Sequence, residues 1–462
     1  MKTLNLAVLL IFAAPFSFAE PVDTQTQTQE LERKKKIQAQ VEKTAAQAEK
    51  TALPPGGGEV TYEDLLAHPD DVDLNYRYAR AQVEKGNLRG AAATLERILM
   101  VDPNLPRVRL FYAIVLYRLD NIDDSERELA TLKSQKMPDS LRAEVDEYVA
   151  EIHKRRRSTH FSALVGAGLD YDDNRNAAPA TGQRLFFDTP IILDGNSTRK
   201  GDVSKTMLAS VGATHDLGFQ AGHQLFAGMN YYRAEQTNVR ILNLQAYGAN
   251  LGGTFKSRWA DVTPEFAFGH LLLAEHTYLR TYGESLRFDR KIGGRLAVYG
   301  KTGYTRVGYN ATPIVPTGPQ RTGDVIDGEV GAAAALCPRF SLSGSYNHSN
   351  VGALERFDAF RREALSLTPT LLLGRGQFIF AAMTLNFDQY EQPEAAISAS
   401  IRKDTMFRGR LTYGVPMGFI AAPLKNLLGT LSYEYFTSHS NIMNYSYTNN
   451  KVSTLFTYKW EL

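Results

Sequence analysis

Few residues of this 462-residue chain are spaced for chemistry. The densest polar motif is LDYDDNRN, residues 169–176, in which Asp170, Asp172, Asp173 and Asn174 could offer oxygen ligands to a calcium ion. The spacing and terminal Glu of an EF-hand loop are missing, so turn chemistry is the favoured reading, with Asp and Asn accepting local backbone hydrogen bonds. The nine histidines form no HExxH arrangement, and His215 and His270 fall in alternating segments where a lumen or rim position is expected. There is no GxSxG elbow, Walker loop or dinucleotide fingerprint, and Asp123 and Asp124 sit in a helix turn. The single cysteine, Cys337 in GAAAALCPRF, excludes an intrachain disulfide and is placed at a strand end before a proline turn. A net charge of +2 carries no polyelectrolyte signature of nucleic-acid binding. No catalytic set, cofactor or metal site is expected, and the protein is read as a non-enzyme.

The elements around these residues are more informative. From 158 to 462 the apolar pattern has period two. In HFSALVGAGLDYDDN one face collects Phe161, Ala163, Val165, Ala167, Leu169 and Tyr171, and HQLFAGMNYYRAE groups Leu225, Ala227, Met229 and Tyr231. GQFIFAAMTLNFD likewise groups Phe378, Phe380 and Ala382. About fourteen such segments follow one another, starting near 160, 205, 223, 243, 262, 278, 295, 324, 340, 363, 377, 401, 428 and 450. Short turns such as RKIGGR, CPRF and LGRGQ alternate with long polar loops such as NATPIVPTGPQRTGD and DQYEQPEAAISAS. That alternation predicts a transmembrane antiparallel β-barrel of the bacterial outer membrane, facing outer-membrane lipids outside and a polar lumen inside. Arg233, Glu235, Arg280, Glu284 and Arg402 are expected to line that lumen. In the final segment, KVSTLFTYKWEL, the even-numbered face ends in Trp460 and Leu462. It is expected to close the ring against the strand that begins near Phe161 and to present the mark read by the barrel-insertion machinery.

Ahead of the barrel three further regions are distinguished. Residues 1–19 have a basic start, a short apolar run and Ser17-Phe18-Ala19, the pattern of a signal peptide. Residues 20–58 are rich in Gln, Lys, Glu and Ala and end in PPGGG, which reads as a polar linker or tether. Residues 59–157 are helical in pattern and repeat, with Pro69 to Pro103 spaced by 34 residues and Pro103 to Pro138 by 35. In that register Ala79 matches Ala113, Gly86 matches Asp120, Ala91 matches Ser125 and Leu95 matches Leu129. This is the tetratricopeptide pattern, with DSLRAEVDEYVAEIHKRRR as a terminal capping helix. The concave face of such a stack would include Tyr76, Arg80, Leu110, Ile114 and Tyr117, which either bind a partner polypeptide or pack within the domain. Arg155, Arg156 and Arg157 could meet anionic headgroups.

Tetratricopeptide helices followed by a barrel of about fourteen strands, entered through Tyr171-Asp172-Asp173-Asn174, resemble the surface lipoprotein assembly modulators (Slam), a family of outer-membrane translocons. The resemblance implies an outer-membrane protein with its repeats in the periplasm. It would move a client, a surface lipoprotein or a secreted haem- or metal-scavenging protein, to the cell surface. Its repeats would engage that client or a periplasmic chaperone. A polysaccharide exporter is the other architecture of this kind, and it should carry an excess of inward Arg and Lys.

Overall fold

A computed structural model describes residues 71–461 except Lys136, Arg157, Asn196, Gln220 and Ala221, together with Glu63, Leu65 and His68. The expected signal peptide and linker lie outside these residues, as do Leu462, Arg157 and the side chains of Arg155 and Arg156. The described chain divides between Ser158 and Thr159 into a helical unit and a β unit.

The helical unit contains α1 (Val72–Glu84), α2 (Leu88–Val101), α3 (Pro106–Arg118), α4 (Ile122–Lys133) and α5 (Asp139–Arg156). Val72 to Pro106 and Leu88 to Ile122 are each 34 residues, so the repeat seen in sequence is a repeat of helix starts. Asp71 caps α1 by accepting from the amides of Asp73 and Leu74 at 2.9 and 3.0 Å, and Pro106 opens α3 where no amide donor is needed. The α1–α2 and α3–α4 turns each need a left-handed residue. Gly86 takes φ +80° and its counterpart Asp120 takes φ +65°. Ala79, Ala91, Ala113 and Ser125 are fully buried where helices cross, and the Ser125 hydroxyl donates to the Ala113 carbonyl at 2.8 Å.

The β unit is a closed antiparallel barrel of fourteen strands. In chain order these are β1 (Thr159–Asp172), β4 (Asp202–Asp216), β5 (Gln224–Gln236), β6 (Leu244–Thr254), β7 (Asp261–Leu273), β8 (His276–Ile292) and β9 (Leu296–Tyr309). They continue as β10 (Gly323–Cys337), β11 (Phe340–Val351), β12 (Phe360–Leu372), β13 (Phe378–Tyr390), β14 (Lys403–Pro416), β15 (Leu427–Ser440) and β16 (Tyr447–Glu461). A separate hairpin, β2 (Gln183–Phe186) with β3 (Thr189–Ile192), lies in the loop after β1. Ring closure is made by β1 on β16 through eleven register pairs, from Ser162 opposite Glu461 to Asp172 opposite Lys451. Gly168 is needed at this seam, because a Cβ there would collide with the Thr454 carbonyl oxygen.

Large apolar side chains, among them Val165, Leu169, Met207, Leu251, Phe266, Val330, Leu365, Leu411 and Phe456, are exposed on the outer face. In water such a surface would be costly, whereas in a bilayer it is the solvated face. From Phe161 to Tyr171, roughly ten residues at about 3.3 Å each and a tilt near 40° give a belt about 25 Å high. The six short turns, such as 338–339 and 293–295, occupy one rim. The opposite rim carries loops 173–201, 310–322, 352–359 and 391–402, although its connection between β7 and β8 is a two-residue turn, Ala274 and Glu275, with both residues at positive φ.

Candidate functional site in the barrel interior

Alternation along each strand decides which side chains enter the barrel. In β4 the inward residues Asp202, Ser204 and Thr206 are buried, while Leu208, Ser210, Gly212 and Thr214, nearer the short turns, are only half-buried. The same gradient runs through β13, where Asp388 and Tyr390 are buried and Phe378 to Asn386 are not, and through β15, where burial sets in at Glu434. The interior is therefore filled toward the long-loop rim and accessible toward the short-turn rim.

Two kinds of contact do the filling. The first is apolar: Leu242 from loop 237–243 and Val315 from loop 310–322 turn inward onto Ala234, Leu244, Leu271, Leu273, Leu279, Val307 and Tyr309. Ala177 from loop 173–201 packs in the same way on Phe436 and Tyr447. The second is a band of ion pairs and charged hydrogen bonds, some between neighbouring strands and some between residues two apart in one segment. Arg362 donates to Asp388 at 2.7 and 2.6 Å, and Arg402 pairs with Asp404 at 2.8 Å. Glu434 takes Arg410 at 2.8 Å and lies 3.5 Å from Arg408, while Lys451 lies 3.1 Å from Asp170. Nearer the short turns, Arg287 pairs with Asp289 at 2.8 Å, the Tyr299 hydroxyl donates to Glu329 at 2.5 Å, and Asn250 donates to Glu265 at 2.8 Å. Each inward cation of this band faces a carboxylate.

The motif at 169–176 does turn work. Asp173 accepts from the Asn450 amide at 2.8 Å and its side chain at 2.7 Å, and its other partner is Arg199. Asn174 accepts from the Ala178 amide at 3.0 Å and donates to the Ala178 and Thr448 carbonyls at 3.1 and 2.9 Å. These bonds send the chain from the top of β1 back over the mouth.

Several expectations are corrected. Leu110, Ile114 and Tyr117 do not line an open groove: they are 1%, 2% and 4% exposed, covered by Leu141, Val145, Tyr148 and Ile152 of α5. The physical reason is the stacking order, since α5 lies where the first helix of a third repeat would pack, and its apolar stripe must be buried. Tyr76 is half-buried with its ring edge on Phe111, and Arg80 is half-buried beside it on α1. Arg233 and Glu235 share the outward face of β5 with Met229, and Arg280 and Glu284 share that of β8 with Tyr282, so these four do not enter the lumen. Strand phase forces this, because side chains two residues apart face the same way. Arg402 is inward, as expected, its guanidinium 3.4 Å from the centre of the Tyr445 ring.

At the seam Trp460 stands opposite Ala163 and next to Tyr458, with ring centroids 4.5 Å apart. Phe161 is 54% exposed on the outer face, opposite Ala213 of β4, and among the described residues the pairing of β1 with β16 runs from Ser162 opposite Glu461. The contacts that matter most at the mouth were not singled out from sequence. Asp188, Ser398 and Asn444 lie in three different loops, and no local spacing signals that they meet.

This architecture defines a membrane-spanning barrel of the outer-membrane type, preceded by tetratricopeptide helices. Residues 59–109 match the tetratricopeptide repeat family model. In sequence the chain is similar to a protein named surface lipoprotein assembly modifier from Moraxella catarrhalis, with 24% identity over 250 residues. That alignment takes in 53% of this chain and 46% of the relative, so the chain spans about half the length of the curated relative it matches. Among solved structures, outer membrane protein opdK from Pseudomonas aeruginosa aligns over 66% of this chain and 99% of its own, at 8% identity and a TM-score of 0.32. OccAB4 from Acinetobacter baumannii aligns over 66% and 98%, at 8% identity and a TM-score of 0.34.

Proposed function

We propose that this protein is an outer-membrane assembly factor that moves a partner polypeptide from the periplasm to the cell surface without catalysing a covalent reaction. The client is a surface lipoprotein, or a secreted haem- or metal-scavenging protein. The observation that carries the reading is a barrel interior reachable from the short-turn rim, where small polar residues such as Ser210, Thr214, Thr384 and Asn386 share the lining with Leu208, Phe378 and Phe380, joined in one chain to repeat helices. Short turns are periplasmic in outer-membrane barrels, and the chain enters β1 at that rim, which supports the reading that the repeats act in the periplasm, where the client starts. The relationship to a protein named for surface lipoprotein assembly supports the client class. A polar interior lowers the cost of carrying client backbone across hydrocarbon, where an unpaired amide costs several kcal/mol. Folding of the client outside supplies the drive.

Export of an acidic polysaccharide is disfavoured by the matched charges of the interior. Arg362, Arg402, Arg410 and Lys451 each face an inward carboxylate, so much of the basic charge in this band is already matched. The reading is tested by deleting the gene in cells that make a candidate lipoprotein client. Added protease should then no longer reach the client on intact cells, and unchanged accessibility would sink the proposal.

A further inference from the structure

The long-loop mouth is closed by several segments, but they are not held alike. Loops 237–243 and 310–322 are anchored by buried apolar side chains, Leu242 and Val315. Residues 173–201 bury Asn174, Asn176, Ala177, Ala178 and Pro179 at their start and then run out into the β2–β3 hairpin, none of whose residues is buried. Its Phe186, Phe187, Ile191 and Ile192 are exposed, the last by 83%. Apolar burial therefore does not hold the hairpin down.

Polar contacts to two other loops do. The Phe187 and Asp188 amides donate to the Ala396 and Ile397 carbonyls at 3.0 and 2.9 Å. The Asp188 carboxylate accepts from the Ser398 hydroxyl and, at 2.9 Å, from the Ala399 amide. The Asn444 side chain brackets Leu185, accepting from its amide at 2.6 Å and donating to its carbonyl at 3.1 Å. Phe187 and Asp188 form the hairpin turn at φ +50° and +59°, a left-handed pair without a glycine, and Ala177 below them sits at φ +45°. Side-chain-bearing residues held in such conformations favour release once the surrounding contacts are lost.

We propose that the β2–β3 hairpin, residues 183–192, is a strap that gates the barrel, latched by Asp188 and Asn444, whose release opens the otherwise blind interior to the cell exterior. The proposal deepens the translocation reading and rests on it for purpose, but opening can be measured with no client present. The latch consists of a few hydrogen bonds, exposed at Asp188 and covered at Asn444, and both anchors lie in loops, so their loss shifts the balance without dismantling the wall.

The test is single-channel recording of the purified full-length protein in planar bilayers. The wild type is expected to stay closed with rare openings. Asp188→Gly combined with Asn444→Ala keeps the turn's left-handed backbone while removing both anchors, and should raise the open fraction at least about tenfold. The reverse experiment pairs Asp188→Cys with Ser398→Cys in a Cys337→Ser background. Oxidation should abolish openings and a reductant should restore them. Heat-shifted electrophoretic mobility identifies folded barrels in each preparation. Folded double variants as silent as the wild type would overturn the proposal, as would a wild type that conducts steadily. If the strap gates but client display survives deletion of the gene, the gate stands and the translocation reading falls.

Discussion

Asp188 and the acids beneath the loops respond to pH in opposite senses. The Ser398 hydroxyl, and then the Ala399 amide, hold the exposed Asp188 carboxyl below the ordinary aspartate range. A group depressed in the latched form supports latching above its released pKa and loses that support as pH falls through the latched value. Burial does the reverse to Asp358 and Glu394 in neighbouring loops, raising both. Each of these binds its proton more tightly in the closed arrangement, so its stabilisation is complete below the released pKa and fades as pH rises through the raised one. Acidification from neutral should first tighten loops 352–359 and 391–402, and below the ordinary carboxylate range should free the strap. Amide exchange of these segments across pH checks this, and a steady loss of protection from neutral pH downward would contradict it.

At the scale of elements, α5 decides what the repeats can offer. Its stripe of Leu141, Val145, Tyr148 and Ile152 uses the face of α3 that a partner would otherwise occupy. Leu110→Ala should therefore behave as a core truncation, costing about 2–5 kcal/mol of local stability. Arg80→Ala, at a half-buried position on α1, should change it by about 0.5 kcal/mol or less. Exchange protection of the α3–α5 amides distinguishes the two, and equal effects would restore Leu110 to a surface role. The same contrast explains which part of the repeat pattern was legible. Pairs such as Ala79 with Ala113 and Gly86 with Asp120 are set by local needs, close helix approach and a left-handed turn, so they appear in sequence. Which apolar face stays open depends on the next helix in the stack, which no single helix encodes.

For the whole molecule, closure is the central event. A barrel has no edge only when its first and last strands pair, and here Ala163 meets Trp460 near the short-turn rim. Deleting residues 460–462 removes that end of the seam and leaves an unpaired strand end in the bilayer, where each unsatisfied backbone group costs several kcal/mol. The truncated protein is expected to yield no heat-shifted folded band and to be degraded in the periplasm. A normal folded band from the truncation would remove Trp460 from the assembly signal. The interior behaves as one object in the same sense. Ion pairs that link β12 to β13, β14 to β15 and β16 to β1 sit in one band, so the charged interior exists only once the ring is closed.

The sequence by itself determined the repeat period, the fourteen strands, the sides taken by short turns and most long loops, and the pairing of the first strand with the last. All of these follow from local rules: a helical repeat has a fixed length, a strand alternates, and a turn needs its residues. Only the tertiary structure decided which inward charges meet across strands, as Arg362 of β12 does with Asp388 of β13. It alone brought Asp188, Ser398 and Asn444 together over the mouth, because loops far apart in the chain become neighbours only when the ring beneath them has closed.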